Sequence, residues 1–231
     1  MQVSFFFSFF ITTFKSCLSI NFLSFLGKTG FGLSIEYFDR TRVSRYIALE
    51  PNTLMHNHIR SKANKAGFHE SDGTLLILSY GAQDTHSILS SLSHHHHHQQ
   101  QEQQQPVVDT ILSVLTLCSI PDPQRTISKL VRDVLKSGGQ LLYFEHVLSV
   151  RDDVAWWQRF WAPVWACVFD GCRMDRPSDI WIRDLKINGG DGGGGSDDDD
   201  NATWMEWKIY DYPDEDEENL FCHRLGKFVK I

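Results

Sequence analysis

The sequence predicts an α/β fold: a mostly parallel sheet with helices on both faces, closed at the carboxyl end by an antiparallel hairpin. Three observations predict it. Short apolar runs recur along the chain, and continuous runs of this kind are strands buried on both faces. Between them lie stretches of helical composition that end at glycines. After the last long helix come two alternating stretches joined by an acidic turn, which is how a hairpin reads.

The elements follow in order. Arg45–Leu49 is a strand that ends at Glu50-Pro51, and Thr53 to Ala66 is a helix stopped at Gly67. Thr74–Ser79 is a second strand, stopped by Gly81, with a helix after Asp84. Val107–Leu117 is a third strand, and Pro121-Asp122-Pro123 opens a helix to about Lys136. Ser137-Gly138-Gly139 is a stop and turn before a fourth strand, Gln140–Val147. Trp204–Tyr210 and His223–Ile231 form the closing pair, joined through Asp211–Asn219.

A chain of 231 residues supports one domain with a real core. Its 16 Phe and 7 Trp make that core, and any pocket in it, aromatic. The formal charge of -7 comes from three acidic patches: Glu102, then Asp191 with Asp197–Asp200, then Asp214–Glu218. The rest is mildly basic with no cluster on one face, so nucleic acid is not an expected partner. The 5 cysteines form no C-x-x-C pair. Their local spacing gives neither a zinc site nor a disulfide framework, and no metal is expected. Reduced thiols place the protein inside the cell, in the cytoplasm or against a membrane surface.

Residues 1–26 are apolar, rich in Phe, Leu, Ile and Ser, with Lys15 the one charged residue between Val3 and Leu26. Three readings stay open there: a membrane anchor or interfacial segment, a poorly formed first strand, or an aberrant start of the reading frame. The domain proper is 27–231. It carries two insertions expected to be disordered, the His/Gln tract at 94–105 and the Gly/Asp stretch at 188–201.

Open parallel sheets bind ligands beyond the carboxyl ends of their strands, where strand order reverses. Glu50 sits at such an end, where a carboxylate can accept the hydroxyls of a ribose. Asp84, after Gly81-Ala82-Gln83, is placed to accept from an adenine amino group; a helix cap is the bland alternative. Gly30-Phe31-Gly32 precedes Glu50 at about the separation between a dinucleotide-type glycine loop and its ribose acid. Glu145 and His146, at the end of the fourth strand, are candidates for a general base or an orienting group. Trp156, Trp157, Phe160, Trp161, Trp165 and Phe169 recur along one helix. They read either as core or membrane-facing packing, or as the wall of an apolar substrate site with Trp157, Trp161 and Trp165 in it. Cys172 reads as structural.

Three stretches carry a resemblance. Val107 through Asp122, Leu135 through Val147 with Glu145-His146 at its end, and Trp161-Ala-Pro-Val-Trp165 through Phe169-Asp-Gly-Cys172 together resemble the alkyl-thiol methyltransferases. These are class I S-adenosylmethionine-dependent enzymes related to the ubiquinone/menaquinone methyltransferases. The resemblance covers roughly 30–231 apart from the insertions, and Arg224 to Lys230 fits it too. It implies a Rossmann-like sheet, S-adenosylmethionine as cofactor, and methyl transfer to a small apolar acceptor such as a thiol. It also implies that Gly30 and Gly32 approach the methionine part of the cofactor and Glu50 holds the ribose. Ala82, Gln83 and Asp84 would frame the adenine, and Leu115 would line the pocket. Where the family has a glycine and an acid in its first loop, this chain has Lys28 and Leu26, and a Cβ at a close-approach point reduces the reach of the backbone. The rival reading is therefore a non-catalytic protein that keeps the fold with a defective cofactor loop. A nicotinamide oxidoreductase fits less well, because Ile35 stands where the third glycine of its fingerprint belongs.

Overall fold

The structure is a computed structural model that describes residues 20–26, 35–94, 107–187, 202–213 and 215–231. Its centre is a seven-stranded sheet in the order β3-β2-β1-β4-β5-β7-β6. The strands are β1 (Ile20–Leu26), β2 (Val43–Leu49), β3 (Leu75–Leu78), β4 (Val108–Val114), β5 (Leu135–His146), β6 (Trp204–Asp211) and β7 (His223–Lys230). Strands β1 to β5 run parallel, whereas β7 pairs antiparallel with β5 and with β6. The sheet thus has the parallel body and closing hairpin that the sequence predicts.

The last seven residues of the apolar amino-terminal segment are β1, held between β2 and β4. A strand hydrogen-bonded on both sides in a covered parallel sheet needs apolar residues throughout, which is why its sequence resembles an anchor. Residues 1–19 lie outside the described part, as do 95–106 and 188–201, so the two insertions fall almost wholly there. Among the described residues no helix is long and apolar enough to cross a membrane.

Alternation along the strands divides the core in two. Ile47, Leu49, Ile111, Leu141 and Tyr143 face one cluster with Ile88, Leu92, Ile127 and Val131. Tyr46, Ala48, Leu112, Leu142 and Phe144 face the other, with Ile35, Ile59, Ala63 and Phe68. Helix α1 (His56–Lys65) supplies Ile59 and Ala63 to the second face. Helices α2 (Thr85–His94) and α3 (Pro123–Lys129) cover the first.

Helix α3 is shorter than its composition suggests. It loosens into a π-helical turn at Leu130–Val134, and β5 begins at Leu135. Leu135 pairs with Val108, and pairing resumes only at Gln140 with Thr110. Residues 136–139 bulge out between these points, with Gly138 at φ +72. The Ser137-Gly138-Gly139 signal therefore marks a bulge inside a strand, where a turn before it was expected. The loosened turn is closed from the far end of the chain. The buried Lys230 Nζ donates to the carbonyls of Val131, Arg132 and Leu135 at 2.7, 3.1 and 2.7 Å. Those are carbonyls that a helix end leaves without partners.

Helix α4 (Asp152–Val168) follows β5 and helix α5 (Ser178–Arg183) comes after it. The buried side chains of α4 are Val154, Ala155, Gln158 and Ala162. Gln158 anchors the helix: its amide donates to Val147 O and Leu220 O, and it accepts from Ser149 N.

The β5–β7 pairing places Gly226 opposite Tyr143, and the Tyr143 ring occupies the space that a Cβ at 226 would need. Tyr143 is fully buried, so its ring has no room to yield. Gly226→Ala should cost about 1–3 kcal/mol by overpacking, seen as a lower urea midpoint with an unchanged slope.

Candidate active site at the carboxyl edge of the sheet

The chain leaves β1 for β2 and β3 on one side and returns to β4 on the other, so strand order reverses between β1 and β4. The carboxyl ends of β2, β3, β4 and β5 carry the polar residues expected of a site there.

Glu50 follows β2 directly and is 5% exposed. Its Oε1 accepts from Asn52 N at 2.8 Å, and its carbonyl lies 2.8 Å from His56 Nε2. Burial pushes its carboxyl above the usual range, against the opposing pull of the Asn52 N–H. Beyond β3, Ala82 is buried while Gln83 and Asp84 are exposed. Asp84 accepts from Ser87 N at 3.2 Å at the start of α2, and hydrogen bonding to the Ser87 hydroxyl and then to its N–H holds the carboxyl below the usual range. The cap role is thus real; the outer face of Asp84 stays open to solvent. Gly30 and Gly32 lie outside the described residues, four and six positions beyond the end of β1.

The end of β4 is bent by force. Leu115 sits at φ +48, a left-handed conformation rare for a side chain of its size. It is held from β5. Leu115 N donates to Phe144 O at 2.8 Å. Glu145 then accepts from Ser113 Oγ (2.6 Å), Thr116 N (2.9 Å) and Leu117 N (3.1 Å). Glu145 is 0% exposed, and burial pushes its carboxyl upward against those three hydrogen bonds. Glu145 thus clamps the β4 end loop. Nothing local in the sequence signals this clamp, because its donors lie 28 to 32 residues away in the chain.

His146 is half-buried. Its Nδ1 lies 3.7 Å from Cys172 Sγ, and Cys172 Sγ lies 3.4 Å from Cys118 Sγ. The Cys172 thiol is held far below its ordinary range, at about 4, by the shared proton with Cys118 and then by His146. Cys118, buried, is pushed up by the same contact. Local cysteine spacing gave no sign of this cluster, because its three members come from the β4 loop, the β5 end and the segment after α4.

Beside His146 is an apolar cavity of about 350 Å³. Trp161, Val164, Trp165, Val168 and Phe169 form one wall, and Met174, Leu220 and Phe221 the other. The Phe221 ring lies 4.6 Å from Trp165 and 5.9 Å from the His146 ring, so cavity and cluster share a wall. Trp161 and Trp165 line this cavity. Trp157 does not: it is 48% exposed and packs edge-on against Trp156 at 4.7 Å. Trp157 and Trp161 lie one turn apart on the same side of the helix, so the pattern alone does not tell which of them meets the cavity. Leu220 and Phe221, from the acidic hairpin loop, had no sequence signal.

No protein-family model matches the chain. Curated relatives do match in part. Thiol S-methyltransferase TMT1B of Rattus norvegicus is 37% identical over 70 residues, 30% of this chain and 28% of the relative. Thiol S-methyltransferase TMT1A of Homo sapiens is 35% identical over 75 residues, 31% of this chain and 29% of the relative. The chain thus spans under a third of the length of the curated relatives it matches. Solved structures match throughout. The YcgJ protein from Bacillus subtilis aligns with a TM-score of 0.62 at 12% identity, covering 100% of this chain and 99% of that one. A geranyl diphosphate methyltransferase in complex with S-adenosylmethionine aligns with a TM-score of 0.62 at 10% identity, over 99% and 85%.

The chain has the class I methyltransferase fold. Over 70 to 75 residues its sequence is similar to thiol S-methyltransferases as well. The fold by itself does not dictate a reaction: the [4+2]-cyclase SpnF aligns with a TM-score of 0.53 at 13% identity, over 89% of this chain and 60% of that one. Within the methyltransferase fold, the clamp on β4 gives a direct test. Glu145→Ala orphans three buried donors, each worth about 1–3 kcal/mol, and should lower stability by more than about 3 kcal/mol in urea. Glu145→Gln, which keeps one acceptor, should cost less.

Proposed function

We propose that this protein transfers the methyl group of S-adenosylmethionine to a small apolar acceptor, a thiol in preference to a phenol or amine. The observation that carries the reading is Glu50, a buried carboxylate at the carboxyl end of β2. Among the described residues, the hydrogen bond to its side chain is the one to Oε1, which leaves Oε2 for a ribose hydroxyl. The partial likeness to thiol S-methyltransferases supports the choice of acceptor, and the apolar lining of the cavity supports its small, greasy character. A cavity of about 350 Å³ is at the small end of ligand sites.

The cofactor supplies an electrophilic methyl on a sulfonium, and transfer is a displacement whose main demand is alignment. The chain's own residues meet that demand in three places. Glu50 fixes the ribose end. Gln83 and Asp84, exposed beyond β3, frame the adenine. Leu115, held left-handed by Glu145, shapes the pocket wall between the ends of β4 and β5. On the acceptor side Trp161, Trp165 and Phe221 exclude water and grip an alkyl chain. A thiol with ordinary acidity already supplies some thiolate near neutral pH, so no strong base is required there.

Calorimetry with S-adenosylhomocysteine tests the cofactor half. The wild-type chain should bind, and Glu50→Gln should weaken binding roughly 10–100-fold, the loss of a hydrogen bond to a charged group. No binding by the folded wild-type chain overturns the proposal. The pH dependence has a definite sign. Burial raises Glu50 above the ordinary 4.5, and the ribose hydroxyls favour its ionised form. Affinity should therefore fall with acidification at a higher pH than an unperturbed glutamate gives. For stability the sign is opposite. The folded chain keeps this proton to higher pH than the unfolded chain, so its contribution is lost as pH rises from 4.5 through the raised value. Glu50→Gln should leave the neutral-pH Tm unchanged or higher, which separates lost binding from lost fold.

A further inference from the structure

We propose that Cys118, His146 and Cys172 form a zinc site whose open fourth position takes the sulfur of the acceptor thiol. The site itself stands on geometry; its use rests on the thiol-methyltransferase reading above. The ligand atoms of the three residues all lie within 4.8 Å of one another. The two sulfurs are 3.4 Å apart, and His146 Nδ1 is 3.7 Å from Cys172 Sγ. Tetrahedral zinc, with Zn–S about 2.3 Å and Zn–N about 2.05 Å, sets its sulfurs about 3.8 Å apart and sulfur and nitrogen about 3.6 Å apart. Both of these edges are within a few tenths of an ångström of those values, and the third, Cys118 Sγ to the His146 ring nitrogen, lies within 4.8 Å, so a metal would draw these two together.

The three ligands are held in place before any metal arrives. Arg173 N donates to Cys118 O at 2.8 Å and Leu148 N to Arg176 O at 3.0 Å. The Arg176 guanidinium donates to Leu117 O and Ile120 O at 2.6 and 2.8 Å, which ties the loop of Cys118 to the segment of Cys172. Ser178 Oγ reaches His146 O at 3.4 Å. Such preorganisation is what a metal site needs and what a packing cluster does not. Cys118 is 2% and Cys172 9% exposed, so the metal would be shielded from water.

Two cysteinates and a neutral imidazole leave zinc with a fourth position, the arrangement of catalytic rather than structural sites. None of the three ligands lines the cavity, but Trp165 and Phe221 border both it and the cluster, so a small apolar thiol in the cavity lies one side chain away from that position. Metal binding releases the two cysteine protons to solvent. The acceptor thiol loses its own proton to solvent on coordination, because a zinc-bound thiol ionises. Its sulfur then forms the new S–CH₃ bond as the methyl–sulfonium bond breaks. That bond's electron pair stays on the cofactor sulfur, and the neutral thioether, a weak ligand, departs. Arg176, which interacts electrostatically with both cysteine sulfurs, offsets the third thiolate.

Cobalt(II) added to the reduced full-length chain tests the site without cofactor or turnover. Wild type should show thiolate-to-cobalt charge-transfer absorption that zinc abolishes. Imidazole ligands give no such band, so metal held by the His94–His98 run does not imitate it. Cys118→Ser and Cys172→Ser should each diminish the band, and His146→Gln should weaken cobalt binding on the order of tenfold or more. Ethanethiol, and not ethanol, should then intensify and shift the wild-type band. If Cys118→Ser fails to fold by circular dichroism, Cys172→Ser and the wild-type titration decide. A folded, reduced wild-type chain with no sulfur-to-cobalt band overturns the site. Retained S-adenosylhomocysteine binding in that same chain would show that the metal site failed while the methyltransferase reading stood. A band unaffected by ethanethiol overturns the open position.

Discussion

The carboxylate of Glu145 is the interaction on which the carboxyl edge depends. It converts the end of β4 from an extended strand into a bent loop by taking the donors of Ser113, Thr116 and Leu117. Burying a carboxylate is costly, and three good hydrogen bonds are what make it tolerable. In return Leu115 is kept in a conformation it would not choose, and Cys118 is delivered to His146. Strain at such a position persists only when the surroundings over-determine it, and here they do from both β5 and the segment after α4.

The same edge divides its labour along the sheet. Strands lie about 4.8 Å apart, so the ends of β2 and β5, separated by β1 and β4, stand about 14 Å from one another. Glu50 occupies one end of that span and His146 the other. The polar end suits a nucleoside and the aromatic end an alkyl group. The hairpin is part of the second: β7 begins beside His146, and the loop before it brings Leu220 and Phe221 over the cavity. Lys230 at the other end of β7 closes the loosened turn after α3. One strand thus supports both the core and the cavity wall.

Much of this was legible in the sequence, for reasons particular elements show. Apolar runs mark β2 to β5 because strands covered on both faces tolerate little else, and the place of Glu50 at a strand end was legible because it follows such a run directly. β1 was harder, since a central strand of a parallel sheet and a membrane segment share an apolar composition. The role of Glu145 was not legible, because it is set by donors about 30 residues away. The cysteine–histidine cluster was hidden for the same reason: its members share no local spacing and meet only through the sheet. The aromatic helix was half legible. Its pattern gave an aromatic face, while which of its rings line the cavity depends on Met174, Leu220 and Phe221, which approach from outside the helix.

The central claim is that this edge moves a methyl group to sulfur. The direct measurement is mass spectrometry of the products after the chain is incubated with S-adenosylmethionine and matched alkyl thiol, phenol and amine acceptors. The account predicts the methyl thioether, formed in step with S-adenosylhomocysteine and reduced by Glu50→Gln at limiting cofactor, with little product from the phenol or amine. A folded chain that binds the cofactor and forms no methyl thioether, or that methylates the phenol or amine in preference, would contradict it.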